Sequence, residues 1–141
     1  MFVQNSNESR QFFVAVRKKM LGKQILQPLE ALIADILHHH PEYDELLDDP
    51  KKALSDQYIS ENFEINPFLH LGLHVALQEQ LDANRPAGIK SLYQNMRMKL
   101  NIDDHDIRHL MMQCLAESLH KAQATNAAPS DNDYLDCLRQ I

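Results

Sequence analysis

Glycine is scarce in this chain, with only 3 among 141 residues. Asn-Gly and Asp-Gly turn dipeptides are absent, and valine and isoleucine are thin beside leucine, alanine and methionine. A meander of short strands joined by tight turns is therefore excluded in favour of helices. No stretch approaches the roughly 18 consecutive apolar residues that a membrane span needs. No basic start followed by an apolar run marks a secretory signal. Cysteine is limited to Cys114 and Cys137, without CxxC spacing. Such a pair is expected to remain two lone thiols in a reducing cytoplasm. Positive charge is also in deficit. The net charge is −6, and the one basic run, Arg17-Lys18-Lys19, sits on an amphipathic helix. No nucleic-acid partner is expected, because binding phosphates requires clustered cations. A Gly-rich phosphate loop and a G-x-S-x-G nucleophile elbow are missing too, so no residue is assigned a catalytic role.

What remains is apolar residues at helical spacing. The length suits a single domain, 1–141, large enough to bury a core without a metal or disulfide. A first helix is expected over about residues 8–21, capped by Ser6 or Asn7, carrying Phe12, Phe13, Val16 and Met20 and stopping at Gly22. Pro28 opens a second, with Leu29, Leu32, Ile33, Ile36 and Leu37 as its stripe. Pro41 places His40 at a helix end or turn, and a short helical turn resumes through Leu47. Another short helix is expected to open at Asp49-Pro50, with Ser60 and Asn62 marking loop. Asn66-Pro67 starts a strong helix running to about Asp82. Three more follow, over about residues 86–100, 105–124 and 131–138. The expected architecture is an all-α bundle of five to seven helices.

The polar residues that interrupt these stripes are the candidate site. With His70 at zero on a helical wheel, His74 falls at about 40° and Leu77 at about −20°, so both histidines lie within the leucine stripe. Imidazoles at i and i+4 present their nitrogens on one side, as helical zinc sites do. Position 71 is Leu, which removes the zinc-protease HEXXH reading. Glu79 falls about 180° from His70 and faces elsewhere. Asn66 extends the polar line at the helix start. On the helix from about His105, the line His109, Gln113, Glu117, His120 borders the apolar face, whereas Cys114 points away. A set of His70, His74, His109 and Glu117 would make four ligands, with His40 as a fifth. Adjacent residues on a helix point three ways, so His38, His39 and His40 cannot all converge.

The string Asn66-Pro67-Phe68-Leu69-His70-Leu71-Gly72-Leu73-His74, continuing to Glu79-Gln80 and Arg85-Pro86-Ala87-Gly88-Ile89, resembles the bacterial domain-of-unknown-function family 1841. His40-Pro41-Glu42-Tyr43, His109-x4-Cys114-x2-Glu117 and Tyr134-Leu135 match as well, so the resemblance covers nearly the whole chain. It implies a small bacterial cytoplasmic protein with no assigned activity, and it marks the same positions, Asn66, His70, His74, His109, Glu117 and His40. The functional expectation is a non-enzymatic binding or regulatory module with a buried His/Glu polar cluster. Its rivals are a metalloprotein holding zinc or iron on His70, His74, His109 and Glu117, and a protein-interaction module or homodimer in which Phe12 or Phe13 contributes to a contact patch.

Overall fold

The computed structural model describes residues 6–53 and 66–141, and every element among them is helical. The expected loop markers Ser60 and Asn62, and the side chains of the expected caps Ser6 and Asn7, lie outside what is described. The chain divides into two compact units, Met1–Val75 and Ala76–Ile141.

In the first unit, α1 spans Ser6–Leu21 and α2 spans Pro28–His39; a 3-10 turn over Pro41–Tyr43 leads into α3, Asp44–Leu47, and then α4, Pro50–Ala53. The unit closes with the first half of α5, Pro67–Ala83. The core is built from Phe13 and Val16 of α1, Ile33, Ile36 and Leu37 of α2, Leu46 and Leu47 of α3, and Phe68, Leu71 and Val75 of α5. Each such side chain stabilises by about 1.5–3 kcal/mol relative to exposure. Phe12 is half-buried and packs on this core.

Polar ties set the register. Gln27 and Glu30 form a capping box at the start of α2, and the other Glu30 oxygen accepts from Lys19 Nζ at 2.6 Å. The Lys19 ammonium, then the Gln27 N–H, hold the Glu30 carboxyl below its usual range. Arg17 joins α1 to α3 through Asp48 at 2.9 Å and Asp44 at 3.5 Å. The stop expected at Gly22 is where α1 ends, its last helical residue being Leu21. Lys23 adopts the left-handed conformation, φ 52°, and Gln24 N–H closes the end on Lys19 C=O at 3.0 Å, as in a Schellman closure.

The second unit takes the rest of α5, then α6 (Ile89–Lys99), α7 (Asp104–Thr125) and α8 (Asp131–Arg139). Gly88 precedes α6 at φ 97°, a conformation that favours glycine. Asp103 and Ser130 cap α7 and α8 with their side chains. Leu77, Leu81, Ile89, Met96, Ile107, Met111, Leu115, Tyr134 and Leu138 are buried.

Two expectations are corrected. Among the described residues, eight α-helices replace five to seven, because Pro41 and Pro50 break the chain into the four-residue helices α3 and α4. Cys114 and Cys137 are not lone thiols but a disulfide. Cys114 points away from the His109 line, as the wheel requires, and meets α8, whose Cys137 lies 23 residues on. That spacing spans a helix, a linker and a helix, which no CxxC criterion detects. No helix among the described residues is long and apolar enough to cross a membrane.

Candidate metal centre

Three imidazoles converge in the first unit, and each is placed by a local feature of the chain. Asn66 sets the start of α5. Its Oδ1 accepts the N–H of Phe68 at 3.0 Å and of Leu69 at 3.3 Å, and its carbonyl accepts the first helical bond from His70 N–H at 3.0 Å. With that register fixed, His70 and His74 project from one face one turn apart, ring centroids 4.8 Å from each other. His40 arrives from α2. As that helix's C-cap it leaves helical geometry, φ −129° and ψ 61°, and Pro41 forbids a return. The ring is thereby turned inward, while His38 and His39 stay exposed.

The ring nitrogens meet closely. His70 Nε2 lies 3.1 Å from His40 Nε2 and 3.2 Å from His74 Nε2. His40 and His74 offer ring nitrogens within 4.8 Å of each other. All three rings are buried, at 7, 7 and 3% exposure for His40, His70 and His74. The far nitrogen of His40, Nδ1, sits 2.5 Å from Glu42 Oε1. A carboxylate can only accept there, so Nδ1 carries the proton, and in the neutral ring Nε2 presents its lone pair to the cluster. Tyr43 stacks on His40 at 5.0 Å and 9° and stands edge-on to His70 at 6.0 Å. Burial, and then the Glu42 charge, push the Tyr43 hydroxyl up to about 12, so it remains a neutral wall at physiological pH.

This geometry is awkward for hydrogen bonding alone. His70 Nε2 holds either a proton or one lone pair, and two neighbouring Nε2 atoms compete for it. Only one of the two contacts can be a well-formed N–H···N bond when the rings are neutral. A metal ion resolves the conflict by accepting all three lone pairs. Metal–nitrogen distances of about 2.0–2.1 Å place ligand nitrogens roughly 3.0–3.4 Å apart, depending on coordination number, and the observed 3.1 and 3.2 Å fall inside that span.

The second unit carries the remaining candidates. His109 is half-buried and pairs with His105, ring centroids 4.2 Å apart. Gln113 and Glu117 are exposed and line a cavity beside Cys137, Asp133 and Asp136, with Glu117 Oε2 3.8 Å from Cys137 Sγ. The disulfide sulfur has no proton to donate, so this is contact rather than a hydrogen bond. Glu117 and His109 thus have different neighbours within their unit. Glu79 is exposed, as the wheel expected. Glu42, Tyr43 and His105 had not been singled out. The His105/His109 spacing of four was the available signal for the last, whereas nothing periodic marks a turn residue such as Glu42.

The described residues therefore define an all-helical protein with a group of histidines, some buried and some half-buried, that could hold a metal ion. The chain belongs to the DUF1841 family, a domain of unknown function whose profile matches residues 5–140. No curated protein and no solved structure matches it.

Proposed function

We propose that this is a metal-binding protein whose first unit holds a zinc or iron ion on Nε2 of His40, His70 and His74. The observation that carries the reading is the pair of Nε2–Nε2 distances at His70, 3.1 and 3.2 Å, in a buried triad whose outer nitrogen on His40 is anchored by a carboxylate. Uncharged imidazoles suit zinc and the later divalent metals of the first row, as well as ferrous iron. Three protein ligands leave a coordination position for water or a further donor, the arrangement of a catalytic rather than a structural zinc site. His109, nominated with His70 and His74 by the helical wheel, belongs to the second unit and is left out of this ligand set. Glu117 is exposed beside Cys137 in the same second unit.

The competing reading is a polar cluster that fixes helix register without chemistry. The two short Nε2–Nε2 distances favour the metal reading over it. Metal analysis of protein purified without a histidine tag separates the two. Near-stoichiometric metal, lost in His74→Ala, is expected; less than about a tenth of an equivalent, unchanged in the variant, overturns the metal reading.

A further inference from the structure

The metal site leaves the Cys114–Cys137 bond without a role, and that bond is not sealed in the core. A cavity of about 480 Å³ opens between α7 and α8, lined by Gln113, Cys114 and Glu117 from one helix and by Asp133, Asp136 and Cys137 from the other. Residues three and four apart on a helix share a face, so each helix turns one face, with its cysteine on it, to this cavity. The two sulfurs differ in access. Cys114 is buried, whereas Cys137 is half-exposed. A molecule entering the cavity therefore reaches the bond at Cys137 Sγ.

The wall is acidic, but its charges are not equivalent. Asp133 pairs with Lys121 at 3.1 Å and Asp136 with Arg139 at 2.7 Å, so each is met by an exposed cation. The Glu117 carboxylate stands instead against the reachable sulfur, Oε2 3.8 Å from Cys137 Sγ. Disulfides exchange by attack of a thiolate on one sulfur. A thiolate arriving at Cys137 brings a negative charge up to Glu117, which opposes it. A thiol that carries a cation beside its sulfur escapes that opposition, because the cation pairs with Glu117 as the sulfurs meet.

We propose that Cys114–Cys137 is a thiol–disulfide exchange site whose substrate is a dithiol with a cationic group next to its attacking sulfur. The attacking thiolate forms a bond to Cys137 Sγ. The bond from Cys137 to Cys114 breaks, and its electron pair leaves on Cys114 Sγ, which takes a proton from water. The second thiol of the dithiol then gives up its proton and attacks its own partner sulfur in the mixed disulfide, releasing Cys137 as a thiolate that is protonated in turn. The dithiol is oxidised by two electrons to a disulfide, and the protein's disulfide is reduced to two thiols. Burial makes Cys114 a reluctant thiolate, so the first step is slow, and the charge beside the attacked sulfur decides which thiols accomplish it. The site lies wholly within the second unit and stands or falls separately from the metal reading.

The test compares monothiols of similar size and different charge: cysteamine, mercaptoethanol and mercaptopropionate. Folded, oxidised protein is mixed with each at low ionic strength, quenched early in acid, alkylated with N-ethylmaleimide and digested with trypsin, which cuts at Lys121 between the two cysteines. Mass spectrometry is expected to find the mixed disulfide on Cys137 and the alkyl group on Cys114, formed at a rate proportional to thiol concentration. Per thiolate, cysteamine should react about 10-fold faster than mercaptopropionate, with mercaptoethanol between them. Glu117→Gln should shrink that spread to about 3-fold or less, and roughly 1 M salt should flatten it in wild type. Residue 117 is exposed, so the variant should keep the wild-type helical circular dichroism. An adduct on Cys114, equal rates for the charge series in wild type, or an undiminished spread in Glu117→Gln overturns the proposal. A rate that levels off with concentration at one value for every thiol reports attack on an opened chain and overturns it as well. So does the absence of any adduct while the protein stays folded.

Discussion

Glu42 is the residue whose role is most sharply posed. Its side chain is largely exposed, yet one oxygen sits on the outer nitrogen of a buried imidazole at 2.5 Å. In metal sites such a carboxylate fixes the tautomer and raises ligand basicity, and removing it typically costs 10–100-fold in affinity. Glu42→Gln keeps the shape but offers a neutral amide, so zinc affinity measured by competition with a chromophoric chelator should fall by about 10-fold or more. An unchanged affinity would show that Glu42 is a surface acid and no more. Helical periodicity reached His70 and His74 because both lie on one regular helix, where 100° per residue is a dependable ruler. It reached His40 through Pro41, whose steric rule is local. Glu42 and Tyr43 escaped because the 3-10 turn that aims them at His40 and His70 has no sequence period.

At the scale of elements, the triad depends on how α5 begins. Asn66 supplies the cap that fixes where the helix starts, and hence the height of His70 on it. Asn66→Ala should destabilise the protein by about 1 kcal/mol, measured as a lower urea midpoint with an unchanged slope. The same variant should weaken metal binding by less than His70→Ala does, because it shifts a ligand without deleting it. The start of α7 has a polar junction of its own. Asp104 accepts from Tyr93, from Arg108 at 2.9 Å and, more distantly, from Arg97 at 3.8 Å. Partial burial alone would raise the Asp104 carboxyl, but the hydrogen bonds from Tyr93 and Arg108 outweigh it and hold the group below its usual range. A carboxylate with a lowered folded-state pKa stabilises the fold above its unfolded value, about 3.9, and that contribution is lost as pH falls through the folded value. Because the side chain is 43% exposed, solvent screening limits the contribution to about 1 kcal/mol or less. Asp104→Asn should therefore melt below wild type at pH 7, and the gap should shrink as the pH falls from the unfolded value, about 3.9, through the lower folded one. A constant gap across that range would assign the loss to packing instead. Caps and breakers made most helix boundaries legible in the sequence; the short α3 and α4 were harder to count because four residues give no period to read.

At the scale of the whole chain, the Cys114–Cys137 bond is what sequence pattern could not supply. Cys114 is nearly buried and Cys137 half-exposed. Their meeting depends on α7 and α8 folding back across the linker near Pro129, a tertiary fact rather than a spacing rule. The bond closes a loop of 23 residues within the second unit. Chain-entropy reasoning for a loop of that size gives a stabilisation of about 3 kcal/mol. The triad is built wholly from first-unit residues, His40, His70 and His74, so the two features should respond to different perturbations. A reductant, or Cys137→Ser, should lower the denaturant midpoint while leaving tight metal binding in native conditions unchanged. Chelation should lower thermal stability whether the cysteines are oxidised or reduced, because an ion that binds only the folded state stabilises by mass action. A calorimetric series of metal-loaded and stripped protein, each with and without reductant, checks both statements together. If reduction released the triad's metal under conditions where the helices remain folded, the separation of the two features by unit would be wrong.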